Sequence, residues 1–134
     1  MTTAIDIELL ETSLELVKAR AGEFLESFYQ NLFTDYPLTQ ALFEHSDMKK
    51  QKIMLLNLLA FTVSNLRSPE RLDETLRNLG DRHVGYGAIA EYYDFFGQSL
   101  LKTFAQYLGP QWTPETQRAW QQAYEAIYTR MLPR

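Results

Sequence analysis

The chain has 134 residues, of which 46% are hydrophobic and 22% charged, so its length and composition suit one compact domain with a core. Its net charge of −4 argues against nucleic acid as a partner, because binding to a phosphate backbone needs a basic face. It has no cysteine, which excludes disulfides, thiol catalysis and thiolate metal sites and suits a reducing cytoplasm.

The N-terminal part of the sequence predicts two helices and a helical turn. The opening residues, MTTAIDIELLETS, lack the basic and apolar regions of a secretory signal, and we expect a cytoplasmic chain that is complete at its start. A first helix is expected over about residues 5–20. After a bend at residues 21–22, a second helix is expected through residue 33. Pro37 then opens a helical turn, PLTQALF. Residues expected inside are Leu9 or Leu10, Leu14 and Val17 in the first helix, and Phe24, Phe28 and Leu32, with Leu25, Tyr29 and Phe33 beside them, in the second.

The middle of the chain predicts one strongly apolar helix over residues 48–66. A polar corner, EHSD, comes before it, with Ser46 or Asp47 as the helix cap. Because this helix is apolar nearly all round, we expect it to be sandwiched between other helices. Its apolar run, IMLLNLLAFTV, is too short to span a bilayer and contains Asn57 and Thr62, so no membrane is expected as a partner.

Three further helices are predicted in the C-terminal half. A helix is expected to begin in the segment SPERLDE, with Ser68 as its cap and Pro69 at its first position, and to end at GYGA. Another helix is expected over about residues 91–108. GPQWTPE forms a turn in which Thr113 caps the last helix and Pro114 begins it. The residues expected inside are Leu72, Leu76, Leu79 and His83, then Tyr93, Phe96, Leu100, Phe104 and Tyr107, and finally Trp120, Tyr124, Ile127 and Met131. The predicted class is all-α, with seven or eight helices and a single domain over residues 1–134.

His83 continues the apolar stripe of its helix, in steps of 4, 3 and 4 residues from Leu72 through Leu76 and Leu79. An imidazole buried without a partner costs roughly 1–3 kcal/mol, so it needs a hydrogen bond or a metal. A core histidine bonded to a carbonyl or hydroxyl is one interpretation. A protein metal site lacks ligands, since His45 is the only other histidine. Haem is a third possibility, because its iron needs a single proximal histidine.

Five motifs, taken together in this order and spacing, resemble the globin family. They are FYQNLF at 28–33, Pro37 with Phe43 six residues later, KKQKIMLL at 49–56, LGDRHVGYG at 79–87 and AWQQAY at 119–124. The resemblance covers about residues 24–131 and is closest to single-domain bacterial globins related to the haem domain of flavohaemoglobins. It implies a fold in which the helices pack around a haem pocket. It also implies haem b as the cofactor, with His83 as the proximal ligand of the iron.

The resemblance assigns further residues to the two sides of the haem. Phe43 packs against the haem plane, Tyr29 and Gln51 form the polar distal pair, and Leu55 is the apolar side chain beside bound ligand. Alone, Phe43 is an ordinary core residue, Gln51 at a helix start is usually exposed, and Tyr29 can direct its hydroxyl to solvent or to a carbonyl.

On the proximal side, Tyr93 matches a tyrosine that belongs to a hydrogen-bonded network with the proximal histidine and a glutamate. The chain ends at RMLPR before the position of that glutamate, and Glu125 is not its match, so an efficient peroxidase is not expected. Tyr86, Ala88 and Phe96 are expected proximal contacts, and Arg82 or Lys50 is a candidate partner for a haem propionate.

Three functions follow as hypotheses. The first is a haem protein, monomer or dimer, that binds dioxygen tightly and reversibly, and also NO and CO. The second is an NO dioxygenase that yields nitrate; it needs a separate reductase, because the chain has no GxGxxG and no room for a flavin or NAD module. The third is a globin fold without haem, used as a sensing or interaction module. The joint presence of His83, Phe43, Tyr29 and Gln51 ranks the third hypothesis last.

Overall fold

A computed structural model describes residues 5–85 and 90–131 of the chain, with the side chains of all of these except residues 83–85 and 90. In this part of the chain there are six α-helices and two short 3₁₀ segments, which confirms the predicted all-α class. The α-helices are α1 (Ile7–Lys18), α2 (Ala21–Asp35), α3 (Met48–Asn65), α4 (Pro69–Gly85), α5 (Ala90–Leu108) and α6 (Pro114–Met131); the 3₁₀ segments are Pro37–Phe43 and Gly109–Gln111.

Short polar side chains fix where the helices begin. Asp6 caps α1 by accepting a hydrogen bond of 3.1 Å from the backbone amide three residues later. Asp47, one of the two predicted caps of α3, accepts at 3.0 Å from the amide two residues later. Thr113 caps α6 as predicted, at 3.1 Å, and Pro69 and Pro114 occupy the first positions of α4 and α6.

The main hydrophobic core lies where α1, α2, α5 and α6 meet, and it contains much of the predicted stripes of these helices. Leu10, Phe24 and Phe104 are fully buried, and Trp120 is 1% exposed. The indole Nε1 of Trp120 donates a hydrogen bond of 2.7 Å to the hydroxyl of Ser13, so its polar atom is satisfied inside the core.

A second, smaller core joins α4, α5 and α6. It consists of the buried residues Leu72, Leu76, Tyr93, Ile127 and Met131, with Leu79 packed against it. The helices α4 and α6 approach closely because Gly80 has no side chain: a Cβ at this position would overlap the backbone of Met131. The second core therefore holds α4 against α6 near the C-terminal end of α4.

The prediction that α3 is sandwiched between other helices is wrong for its N-terminal half. Leu59, Thr62 and Val63 are buried in the C-terminal half, but Ile53 is 59% exposed and Met54 is 53% exposed. A helix that is apolar on every side gives no signal of which face turns inward, and in this case the neighbouring helices cover only one.

None of the described helices combines the length and the apolar character that crossing a membrane requires.

Candidate functional site

Three aromatic rings from two elements form a triangle beside the predicted distal position. Tyr29 and Phe33 lie four residues apart on α2, and Phe43 ends the 3₁₀ segment that follows. The ring centroids are 5.6 Å apart for Tyr29 and Phe43, 5.9 Å for Tyr29 and Phe33, and 5.7 Å for Phe33 and Phe43. These are ordinary distances for packed aromatic rings, so the triangle holds the Tyr29 ring from two sides.

The Tyr29 side chain is buried, with 5% of the residue exposed, and this burial raises the pKa of its phenol above the usual value near 10. The phenol is therefore neutral at physiological pH and keeps its proton for donation. Among the described residues, no hydrogen-bond partner is found for its hydroxyl. This hydroxyl is therefore free to donate a hydrogen bond to a polar ligand placed beside it.

Phe96 extends the aromatic cluster to α5. Its ring centroid lies 5.9 Å from that of Phe43 and 5.7 Å from that of Phe28. The structure thus brings together three residues that the sequence assigned to the haem pocket: Tyr29, Phe43 and Phe96. They come from α2, the first 3₁₀ segment and α5, and the packing of α2 against α5 positions them.

The predicted distal residues of α3 lie one turn apart on the same face of the helix. Leu55 is half-buried and packs against the main core. Gln51 is also half-buried, and no hydrogen bond joins its side chain to the Tyr29 hydroxyl. The structure therefore positions Leu55 against the same core as Phe43. Lys50, one of the two predicted propionate partners, is exposed.

The predicted proximal residues fall mostly on α4 and just after it. α4 is continuous from Pro69 to Gly85, and the burial of Leu72 and Leu76 confirms the predicted inward stripe in the part of α4 that is described. The side chain of His83, together with Tyr86 and Ala88, lies outside the described residues.

Tyr93 lies on α5 in the second core, so it packs beside the inward face of α4. It is 8% exposed, and burial raises the pKa of its phenol. Its backbone carbonyl accepts a hydrogen bond from the Tyr124 hydroxyl of α6. This contact needs Gly97, because a Cβ there would lie 2.6 Å from the Tyr124 ring. Arg82, the other predicted propionate partner, is exposed.

Two features of the site were missed in the sequence. Phe33 was assigned only to the apolar side of its helix, although its spacing of four residues from Tyr29 signals contact. An open depression of about 530 Å³ lies on the surface next to Phe33 and Phe43. Its lining consists of these two residues together with Pro37, Gln40, Ala41, Glu44 and Met48. No sequence pattern predicts it, because it depends on how the 3₁₀ segment meets α2.

Comparison with known proteins places these observations in a family context. The family model described as Globin matches residues 26–131. The flavohemoprotein of Bacillus cereus is 28% identical over 129 residues, covering 95% of this chain and 32% of the relative. The flavohemoprotein of Bacillus subtilis is 25% identical over 123 residues, covering 90% and 31%. Flavohemoprotein B of Dictyostelium discoideum is 28% identical over 130 residues, covering 95% and 30%. The chain spans about a third of the length of these relatives.

Proposed function

The chain belongs to the globin family, and from this premise we propose that it holds haem b and binds dioxygen tightly and reversibly, with NO and CO as further ligands. The family match confirms the resemblance predicted from the five motifs. When bound, haem would supply a ferrous iron able to bind a diatomic ligand and an imidazole. The single domain over residues 1–134 and the cytoplasmic location stay predictions.

The observation that carries the proposal is the Tyr29 hydroxyl, which belongs to a buried side chain, is neutral and has no hydrogen-bond partner among the described residues. A hydroxyl in this state is available to donate a hydrogen bond to a ligand. A dioxygen ligand that carries partial negative charge would accept its hydrogen bond, and bonds of this charge-assisted kind contribute roughly 1.5–3 kcal/mol. Such a bond slows ligand release, which is the physical basis for tight binding.

Other residues of the chain fit the haem group itself. Phe43 offers a flat apolar surface next to Tyr29, Phe96 packs against Phe43, and Leu55 adds an apolar side chain from α3. His83 follows the buried stripe of α4 and would supply the imidazole, with Tyr93 packed in the core beside that helix. We assign Tyr86 and Ala88 to contacts on the same side, and Arg82 or Lys50 to a propionate.

Gln51 is proposed as the second donor of the distal pair. It is half-buried, lies one helical turn before Leu55 and makes no hydrogen bond to Tyr29. Its amide is therefore able to donate to a ligand that also accepts from Tyr29, so that the two donors act together only when ligand is present.

NO dioxygenase activity, which converts NO and dioxygen to nitrate, is the second candidate. The observation that favours it is the set of relatives, whose printed name, flavohemoprotein, combines flavin with haem. The reaction needs electrons for each turnover, and we propose that a separate reductase supplies them. Tyr29 and Gln51 would serve this reaction by holding dioxygen until NO arrives.

A haemin titration followed by absorption spectroscopy tests the proposal. The purified full-length chain is titrated with haemin, reduced under argon, and then exposed to air or CO. We expect one haem per chain, a five-coordinate ferrous form and a persistent oxygenated form. Addition of NO to the oxygenated form, with nitrate measured, tests the second candidate. The proposal would be contradicted if the chain binds no haem, or if haem binding does not saturate during the titration.

A further inference from the structure

The depression of about 530 Å³ shares two of its lining residues with the aromatic triangle around Tyr29. Phe33 and Phe43 face the depression, and both rings also contact the Tyr29 ring at 5.9 and 5.6 Å between centroids. We call these two side chains the aromatic wall. On one side of the wall lies an open surface depression, and on the other lies a buried tyrosine whose hydroxyl has no partner in the described part of the chain.

The chemistry of the depression suits small apolar molecules. Five of its lining residues are apolar: Phe33, Pro37, Ala41, Phe43 and Met48. Apolar gases such as dioxygen and CO leave water for apolar surroundings, so they concentrate in a hollow of this kind.

The two rings of the wall are less enclosed than the ring of Tyr29. Phe33 and Phe43 are both half-buried, whereas Tyr29 is 5% exposed. Side chains with one exposed face change rotamer on short timescales, while fully packed core side chains do not move without displacing their neighbours. Between the depression and Tyr29 stand two half-buried rings, those of Phe33 and Phe43.

We propose that the depression and the aromatic wall form the entry route by which diatomic ligands reach Tyr29. This inference rests on the proposed function, because it concerns the approach to the same site. In this route the depression collects the ligand, and the rings of Phe33 and Phe43 part to admit it. The Tyr29 hydroxyl then donates a hydrogen bond to the ligand.

Two tryptophan variants in one segment test the route. Ala41→Trp places a large ring inside the depression, whereas Leu38→Trp adds the same ring in the same 3₁₀ segment at a residue that is 75% exposed and does not line the depression. CO association is measured by flash photolysis on the haem-loaded full-length proteins. We expect Ala41→Trp to slow association roughly tenfold, which corresponds to about 1.4 kcal/mol of added barrier, and Leu38→Trp to leave it unchanged. Equal association rates in the two variants would overturn the route.

Xenon gives a second measurement that does not depend on ligand binding at iron. The full-length protein is pressurised with xenon, in its CO form if it holds haem and as purified if it does not, and NMR shifts are followed. We expect shifts at the Ala41 methyl and at the rings of Phe33, Phe43 and Tyr29, and their loss in Ala41→Trp. Xenon shifts confined to other parts of the molecule would overturn the route. Failure of haem binding would defeat the proposed function alone, because the xenon result is obtained in either case.

Discussion

The ring of Tyr29 meets the ring of Phe43 edge to face, with centroids 5.6 Å apart and planes at 77°. This arrangement is a preferred one for aromatic pairs, because the positive edge of one ring faces the negative face of the other. It joins α2 to the end of the first 3₁₀ segment and fixes the phenol without using its hydroxyl. The hydroxyl is thus positioned by packing and left available for a ligand.

Loss of the Tyr29 hydroxyl should release dioxygen faster. Removing a charge-assisted hydrogen bond of roughly 1.5–3 kcal/mol corresponds to a dissociation rate about 10- to 100-fold higher in Tyr29→Phe. The rate is measured by stopped-flow displacement of dioxygen with CO. The unfolding free energy of the haem-free variant should not fall, because the hydroxyl has no partner to lose in the described part of the chain.

Tyr107→Phe is the matched control for Tyr29→Phe. The Tyr107 hydroxyl hydrogen-bonds the Ser27 hydroxyl at 2.7 Å and the Glu23 carbonyl at 2.8 Å, on the seam between α2 and α5. This variant should lose about 1 kcal/mol of unfolding free energy and leave dioxygen dissociation unchanged. The opposite pattern, with dioxygen dissociation altered in Tyr107→Phe but not in Tyr29→Phe, would contradict the role of Tyr29 as a hydrogen-bond donor to the ligand.

Replacement of Gln51 tests the second donor. Gln51→Leu should raise the dioxygen dissociation rate about tenfold, the effect of one hydrogen bond near 1.4 kcal/mol. Asn57→Leu removes an amide from an exposed position of the same helix and should have no effect. The double variant with Tyr29→Phe measures whether the two donors are coupled; strictly additive effects would mean that each contributes independently to holding the ligand.

The interior of the fold was predictable from the sequence wherever a helix has one apolar stripe. The stripes through Leu10 in α1, Phe24 in α2 and Trp120 in α6 were predicted and are buried, and so are Leu72 and Leu76 of α4. Proline positions predicted the starts of α4 and α6 in the same way, and the cap residue Thr113 did so for α6. These features are local, and helical periodicity or a cap residue is enough to reveal them.

Features that depend on contact between distant segments were not predictable. The exposure of Ile53 and Met54 reverses the expectation for α3, since an all-round apolar helix does not reveal which side its neighbours cover. The hydrogen bond from Trp120 to Ser13 and the closeness of Gly80 to Met131 both depend on how α6 crosses its neighbours. For the site, Tyr29, Gln51 and Phe43 could be chosen only through the resemblance to globins.

Two glycines should respond oppositely to alanine. Gly80→Ala places a methyl group on the backbone of Met131 and should lower the unfolding free energy by about 1–3 kcal/mol, because α4 and α6 must move apart. A Cβ at Gly22 meets nothing within 4 Å, so Gly22→Ala should raise the unfolding free energy by up to about 1 kcal/mol through helix propensity. Urea unfolding measures both, and equal changes would contradict the close crossing of α4 and α6.

Buried phenols should make the protein less stable at alkaline pH. Burial raises the pKa of Tyr29, Tyr93 and Tyr124 in the folded state, so the folded chain keeps protons that the unfolded chain loses. Their contribution to stability is complete below about pH 10, the usual pKa of a phenol, and declines as the pH rises above it. Urea unfolding from pH 8 to 11 measures this decline, which should be smaller in Tyr29→Phe. An identical decline in that variant would contradict the burial of its phenol.

The most direct test of the central claim compares the two histidines of the chain, His83 and His45. Haem-loaded His83→Gly and His45→Gly are reduced under argon, and the iron–imidazole stretching band is recorded by resonance Raman spectroscopy. We expect the band to vanish in His83→Gly, to return when free imidazole is added, and to persist in His45→Gly. A band that survives in His83→Gly without imidazole would show that another group holds the iron and would contradict the assignment of His83.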